Sequence, residues 1–340
     1  MTGRKTYLLE HGGALRAVAA RYGIALNQWL DLSTGINPRG WPIPHIPTVV
    51  WRRLPEEEDG LERIAAAYYG TVQLLPVAGS QAAIQALPTL RGPSRVGVLT
   101  PSYSEYAHTW RYYNHVIMPL EVSTIESRLE EVDVLVLGNP NNPTGERFAP
   151  SVLLDWRLRL AQRGGWLLVD EAFMDATPEQ SLVVHAGLPG LVVLRSLGKF
   201  FGLAGIRVGF VFCEDALRGR LRDHLGPWAV NGPGRWVAAK ALADRSWQRE
   251  TRRSLQRASG RLAELLDRYG LAVSGGTPLF QWLRQENADF FQDALARRGI
   301  WVRRFDDPPS LRLGLPDSDS AWRRLTQALA GIRAQRQTLR

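Results

Sequence analysis

Between residues 95 and 213 this 340-residue chain alternates short leucine-rich or β-branched runs with amphipathic stretches, and no other feature restricts its fold as much. Parallel strands cannot be joined by a tight hairpin; each pair needs a crossover of a dozen or more residues, usually a helix. The chain is therefore predicted to be α/β, with a large domain built around a mostly parallel mixed sheet. Strands are expected at 95–100, 132–137, 165–169, 191–194 and 208–213, and helices at 60–69, 80–87, 104–113 and 149–162. Most of the strand-like runs end in a Gly, Pro or Asn cluster or an acidic pair. Ligands in open α/β sheets gather beyond the strand carboxyl ends, so these loops are where a site belongs.

After Tyr269 the pattern changes to short strands, expected at 271–274, 279–283, 300–303 and 311–314, with helices at 287–298 and 318–335. This reads as a compact α+β domain, reached through one long interdomain helix at 235–268. The organisation expected is an N-terminal segment, 1–35, packing on the small domain; a large domain, 36–230; and the interdomain helix with the small domain, 231–340. A chain of 340 residues with 45% apolar and 22% charged residues has ample surface to bury in such cores.

Composition removes several function classes. The single Cys213 excludes an internal disulfide and a multi-cysteine zinc site, and the six histidines lack ligand spacing, so no metal is expected. The net charge of +9 is carried by arginines spread along the chain, without a helix-turn-helix, zinc-finger or RNA-binding signature, so nucleic acid is not an expected partner. No apolar run reaches membrane-spanning length and the first residues, through Lys5 and Glu10, carry no apolar leader core; a cytoplasmic protein without a membrane partner is expected.

Among 42 basic residues only Lys5, Lys199 and Lys240 are lysines. A guanidinium keeps its proton in proteins, so an amine that must turn neutral and condense with a carbonyl can only be a lysine. Lys199 lies in Ser196-Leu197-Gly198-Lys199, with Arg207 eight residues on. Upstream, Gly79-Ser80-Gln81 precedes an amphipathic helix, where free N–H groups and a hydroxyl either cradle a phosphate or simply cap the helix. Asn139-Pro140-Asn141-Asn142-Pro143-Thr144-Gly145 follows a strand: two prolines fix the backbone while three asparagine amides offer donors. Trp166-Leu167-Leu168-Val169-Asp170-Glu171 is a buried-looking strand ending in acids, which either pair with arginine or hold a heterocycle nitrogen protonated.

In chain order these five features, Gly79-Ser80, the asparagine turn, strand-end Asp170, Lys199 and Arg207, resemble the fold-type I pyridoxal-phosphate (PLP) enzymes, in the class I/II aminotransferase branch, over nearly the whole chain. The resemblance implies an aspartate aminotransferase-like fold, a homodimer and pyridoxal 5′-phosphate as cofactor. Carried over by position, Lys199 would bind the cofactor covalently, Asp170 would pair with its ring nitrogen and Asn142 would donate to its 3′-oxygen. Gly79, Ser80, Gln81, Ser196 and Arg207 would hold the phosphate, and Tyr103 would stack on the ring. Arg312, in Leu311-Arg312-Leu313-Gly314, matches an arginine that grips a substrate carboxylate.

Within the branch, Glu10-His11-Gly12-Gly13 with Arg16 downstream, then Asp31-Leu32-Ser33-Thr34-Gly35-Ile36-Asn37-Pro38, is similar to the L-threonine-O-3-phosphate decarboxylases of cobalamin biosynthesis. Phe173 stands where aminotransferases commonly carry tyrosine. The implied substrate is a small phosphorylated amino acid, with His11, Gly12, Arg16, Gly35, Arg303 and Arg312 as its contacts; whether Arg303 or Arg304 points inward is open. Two departures from the pattern are Leu54, where relatives have a tyrosine that reaches the neighbouring subunit's cofactor, and Gly198 in place of a second hydroxyl. Two alternatives remain: a histidinol-phosphate-type aminotransferase, and a non-catalytic partner of this fold in cobinamide assembly.

Overall fold

The computed structural model describes residues 11–338. Its strands, in chain order, are β1 (Leu30–Asp31), β2 (Leu74–Val77), β3 (Arg95–Leu99), β4 (Val116–Leu120), β5 (Val134–Gly138), β6 (Trp166–Asp170), β7 (Leu191–Ser196) and β8 (Gly209–Cys213). They continue with β9 (Gly275–Thr277), β10 (Phe280–Arg284), β11 (Ile300–Trp301), β12 (Arg303–Asp306) and β13 (Pro309–Gly314). Seven form one sheet in the order β2-β8-β7-β6-β5-β3-β4, in which β8 alone runs against the rest. Strands β5 and β6 are buried along their whole length, which is why they read as unbroken apolar runs and do not alternate. With the smaller four-stranded sheet β12-β13-β10-β9, this makes an α/β architecture around a mixed, mostly parallel main sheet, as expected.

Two large-sheet strands escape the sequence reading, β2 and β4. Both are edge strands containing a proline, Pro76 and Pro119, a residue that an edge tolerates but that weakens a strand signal. The expected single helix at 235–268 is two, Gly232–Ala243 and Arg245–Arg268, broken at Asp244. The Asp244 carboxylate accepts from the Trp247 N–H (3.0 Å), starting the second helix with its own cap, and from Trp41 Nε1 (3.1 Å). The strand expected at 271–274 is instead β9, further along. Leu271 is drawn into the preceding helix terminus by its N–H to the Leu266 carbonyl, and the β9–β10 ladder begins only afterwards. The strand expected at 300–303 divides at Val302. Ile300–Trp301 pairs in parallel with β1 of the N-terminal segment, whereas β12 joins the small sheet. Tyr22 adds a hydrogen bond to Asp293 (3.0 Å), so residues 15–31 lie against the C-terminal elements; residues 1–10 of the expected segment, Lys5 and Glu10 included, fall outside the described residues.

Candidate active site

Sheet topology alone collects the motifs. In the order β7-β6-β5 the carboxyl ends Ser196, Asp170 and Gly138 are side by side. Because β8 is antiparallel, its start lies at this same end, with Gly209 opposite Val77 on one side and Ser196 on the other. Arg207, just before β8, therefore lines one cavity with Gly79, Ser80 and Ser196. At Gly209 a Cβ would come within 2.7 Å of the Ser80 nitrogen, so only glycine lets the strand start and the helix start approach this closely.

The loop carrying Lys199 is strapped from the N-terminal side. The Lys199 carbonyl accepts from the Asn37 N–H (3.0 Å), Asn37 Nδ2 donates to the Phe200 carbonyl (2.8 Å) and the Trp41 N–H to that of Phe201 (2.8 Å). On the near side the Gly198 N–H donates to Ser196 Oγ (3.2 Å). Beyond it the chain opens into a cavity of about 160 Å³ lined by Gly79, Ser80, Gln81, Tyr103, Asn142, Asp170, Phe173, Ser196, Lys199 and Arg207. The structure thus brings together every residue expected to touch a cofactor.

Lys199 retains some accessible surface through this cavity and is otherwise enclosed; its Nζ lies 5.4 Å from the centre of the Phe173 ring. Burial, then the Arg312 charge, with a smaller push from Arg207, bring its pKa down from the ordinary lysine value to about 8, against the pull of Asp170. Asp170 is buried, and burial holds its pKa above the usual carboxylate range despite hydrogen bonds from Tyr106 Oη (2.9 Å) and the Ala172 N–H (2.9 Å). A cationic N–H beside it is the partner that would offset this cost. Arg207 is in the left-handed region (φ 55°), and its guanidinium lies across Gly79, where a Cβ would be 2.7 Å from it.

These features fit a flat heterocycle with one phosphate: a glycine-lined cradle under a guanidinium, a buried carboxylate for a ring N–H, and an amine shifted toward neutrality. Among the described residues no group of three or more His, Cys, Asp or Glu is placed to hold a metal ion.

The asparagine turn divides its labour in a way the sequence reading did not. Asn139 is used on Phe148, accepting from its N–H (3.0 Å) and donating to its carbonyl (3.3 Å). Asn141 donates to the Pro101 carbonyl (2.9 Å) and to Thr144 Oγ1 (2.8 Å). Both therefore fix the turn, and the expectation of three free amides is corrected to one: only Asn142 lines the cavity. Its Oδ1 accepts from Arg312 Nη1, leaving its Nδ2 as the donor end.

Arg312 on β13 is buried, held also by the Ser33 carbonyl (2.5 Å), with its Cζ 5.2 Å from the centre of the Phe280 ring. Burial and Arg303 lower its pKa, yet a guanidinium remains charged at neutral pH. Gly35 (φ 61°) packs beside it: a Cβ there would lie 3.1 Å from Phe280, 3.5 Å from Phe173 and 3.7 Å from Arg312. In the β12–β13 register Arg303 is directly opposite Arg312, which puts both on one face of the small sheet. Arg304, opposite Leu311, points to the other face and pairs with Asp306 (2.9 Å). Register therefore selects Arg303 as the arginine beside Arg312.

His11 is brought to the rim of the cavity: its Nε2 is 2.9 Å from Glu105 Oε1 and its ring centre 5.7 Å from that of Tyr103. Gly12 backs onto the Ser33 carbonyl, 2.5 Å from where a Cβ would be. Arg16 is not gathered in; it stands exposed on the helix Leu15–Tyr22. Sequence reasoning missed Glu105 and Tyr106, which join the site through His11, Gln81 and Asp170. Their proximity to Tyr103 was the available signal, since Tyr106 is one helical turn on.

Sheet order, strand-end lysine and small second domain define a class. The sequence matches the family described as aminotransferase class I and II over residues 56–329, and the chain belongs to that family. Within it, a threonine-phosphate decarboxylase of Pseudomonas aeruginosa is 55% identical over 326 residues, 96% of this chain and 98% of that protein. A second threonine-phosphate decarboxylase, from a Sinorhizobium species, is 42% identical over 95% of this chain and 98% of its own. Among solved structures, histidinol-phosphate aminotransferase of Sinorhizobium meliloti in complex with pyridoxal-5′-phosphate superposes with a TM-score of 0.81 over 98% of this chain and 99% of that one; at 16% identity this is a likeness of fold.

Proposed function

We propose that this protein catalyses the PLP-dependent decarboxylation of L-threonine O-3-phosphate to (R)-1-aminopropan-2-yl phosphate, for cobalamin biosynthesis, as a cytoplasmic homodimer. The observation that carries the reading is 55% identity to a threonine-phosphate decarboxylase along the full length of both chains, joined to an intact lysine site. The histidinol-phosphate aminotransferase alternative has behind it a likeness of fold and a sequence likeness well below that of the decarboxylases. A non-catalytic partner would have no use for a buried lysine shifted toward neutrality. No described helix is long and apolar enough to cross a membrane.

Gly79, Ser80, Gln81, Ser196 and Arg207 would hold the cofactor phosphate, Tyr103 would stack on its ring, Asp170 would hold its ring nitrogen, Asn142 its 3′-oxygen and Lys199 its aldehyde carbon. When bound, PLP supplies an electron sink for the pair left on Cα as the bond to the carboxylate breaks. The chain's own contributions are binding, water exclusion and proton transfer. Arg312 and Arg303, side by side on one sheet face, suit a substrate with two anionic groups. Phe173 lines the pocket, backed edge to face at 5.1 Å by Phe280, and would keep water from the reacting carbon. Lys199, whose amine is lowered to a pKa of about 8 by burial, would return a proton to Cα in the place of the departed carbon dioxide, with water as the other donor.

The test compares phosphorylated with unphosphorylated threonine and wild type with Lys199→Ala. The holoprotein is expected to turn over only the phosphorylated substrate and to show a visible absorbance band abolished by borohydride; Lys199→Ala should lack both. Equal turnover of plain threonine, or the same band in Lys199→Ala, would contradict the reading.

A further inference from the structure

The cofactor-binding roles above leave Glu105 without a task, although both of its oxygens are engaged. Oε1 is 2.9 Å from His11 Nε2, 94 residues away, and Oε2 accepts from Gln81 Nε2 (2.8 Å). Gln81 in turn accepts from Tyr103 Oη through its own Oε1 (3.1 Å). Tyr103 stands edge to face on Tyr106 (5.5 Å, 83°), whose hydroxyl donates to Asp170. A continuous line of contacts thus runs from the N-terminal segment to the buried carboxylate.

A glutamate in the first turn of a helix is ordinarily explained by the helix dipole alone. Here that explanation falls short. Glu105 opens the helix Glu105–Tyr112, yet its side chain is only 12% exposed and is turned onto two side chains from separate parts of the fold. An ionised carboxylate has no hydrogen to give, so His11 must carry its hydrogen on Nε2, leaving Nδ1 as the ring's remaining polar atom. One residue therefore settles which edge of His11 is available, and by way of Gln81 it fixes the phenol of Tyr103.

We propose that Glu105 is a positioning residue that latches residues 11–15 at the rim of the cavity, setting His11 and Tyr103 together for substrate. Seating of the segment and orientation of Tyr103 become one event: without Glu105, His11 loses its anchor and Gln81 is free to turn away from Tyr103. The inference rests on the reading of His11 as a substrate contact. It predicts that removal of Glu105 weakens substrate capture much more than the chemical step.

A double-mutant cycle on the holoenzyme with threonine phosphate tests the proposal. Glu105→Ala and His11→Ala are each expected to raise KM about tenfold with kcat within about threefold of wild type, and the double variant to be no more than about twofold worse than the weaker single one. Hydrogen exchange in the substrate-free holoenzyme supplies a readout independent of turnover: backbone amides of residues 11–15 should exchange several-fold faster in Glu105→Ala. Effects that multiply in the double variant, or unchanged exchange and unchanged KM in Glu105→Ala, would overturn the latch. If wild type does not turn over threonine phosphate, the proposed function fails while exchange still decides the latch. If Glu105→Ala does not fold, Glu105→Gln takes its place in both measurements, because an amide cannot accept from His11 and Gln81 at once.

Discussion

Lys199 answers two opposed demands. On the proposed function it would have to be neutral to attack a carbonyl and cationic to give up a proton afterwards. Burial and Arg312 press toward the first, Asp170 toward the second, and the balance falls at about 8. The capture of an added aldehyde by the cofactor-free protein should therefore accelerate as pH rises through about 8 and level off above it. Arg312→Met removes a positive neighbour and should move that inflection upward, as read from the pH profile of capture. The sign for stability follows from the same shift: a lysine whose folded pKa is depressed burdens the fold while charged in it, and the burden is relieved as pH climbs from about 8 toward the ordinary value. At this scale the cavity lining was largely legible, because Lys199, Asp170, Asn142 and Arg207 sit in motifs at the ends of successive strands, and the structure gathers all four around one cavity. Glu105 and Tyr106 were not, because a first-turn glutamate and a helical tyrosine are normally read as cap and core.

The same contrast holds for whole elements. Strand and helix types in the large domain follow from apolar periodicity, yet the break at Asp244 did not. Residues 235–268 keep a helical pattern across it, and the interruption depends on one carboxylate choosing the Trp247 N–H and Trp41 over solvent. Asp244→Ala should cost about 1–2 kcal/mol in lost cap and hydrogen bond. Calorimetry should register this as a melting temperature lower by several degrees. The division of 300–303 at Val302 was equally hidden, since β1 supplies a partner for Ile300–Trp301 from the far end of the chain. Periodicity reports which face of a strand is buried, not which sheet it will join. Glycines mark another element-level constraint: Gly145 abuts the backbone of Gly276, so the asparagine turn touches β9 with no room for a side chain on either. Gly145→Ala, strained also by its φ of 77°, should loosen Asn142 and raise the Kd for PLP several-fold, measured by cofactor titration.

Across the molecule, a buried ionic cluster lies behind the strand ends. Arg195 of β7 pairs with Glu171 (3.1 Å) and Asp175 (2.7 Å), all three essentially without exposed surface. Tyr68 donates to Asp175 (3.0 Å), and Arg252 of the interdomain helix donates to Tyr68 (3.1 Å) and to the Asp175 carbonyl (2.8 Å). Residues from four distant stretches compose it, so no local pattern could have foretold it. Arg195→Met leaves two buried carboxylates without their cation and should destabilise the protein by about 3–5 kcal/mol in denaturant unfolding. On the outer surface Trp51 and Leu54 are 63% and 64% exposed beside Val49, a large apolar patch of the kind that subunit contacts cover. Sedimentation of the wild type should give a dimer, and Trp51→Glu with Leu54→Glu should weaken it. The proposed chemistry turns on which bond at Cα is broken, and carbon dioxide release decides that directly. Holoprotein given L-threonine O-3-phosphate and no 2-oxo acid is predicted to release one carbon dioxide per aminopropanol phosphate formed. Turnover that waits for a 2-oxo acid and releases no gas would contradict it.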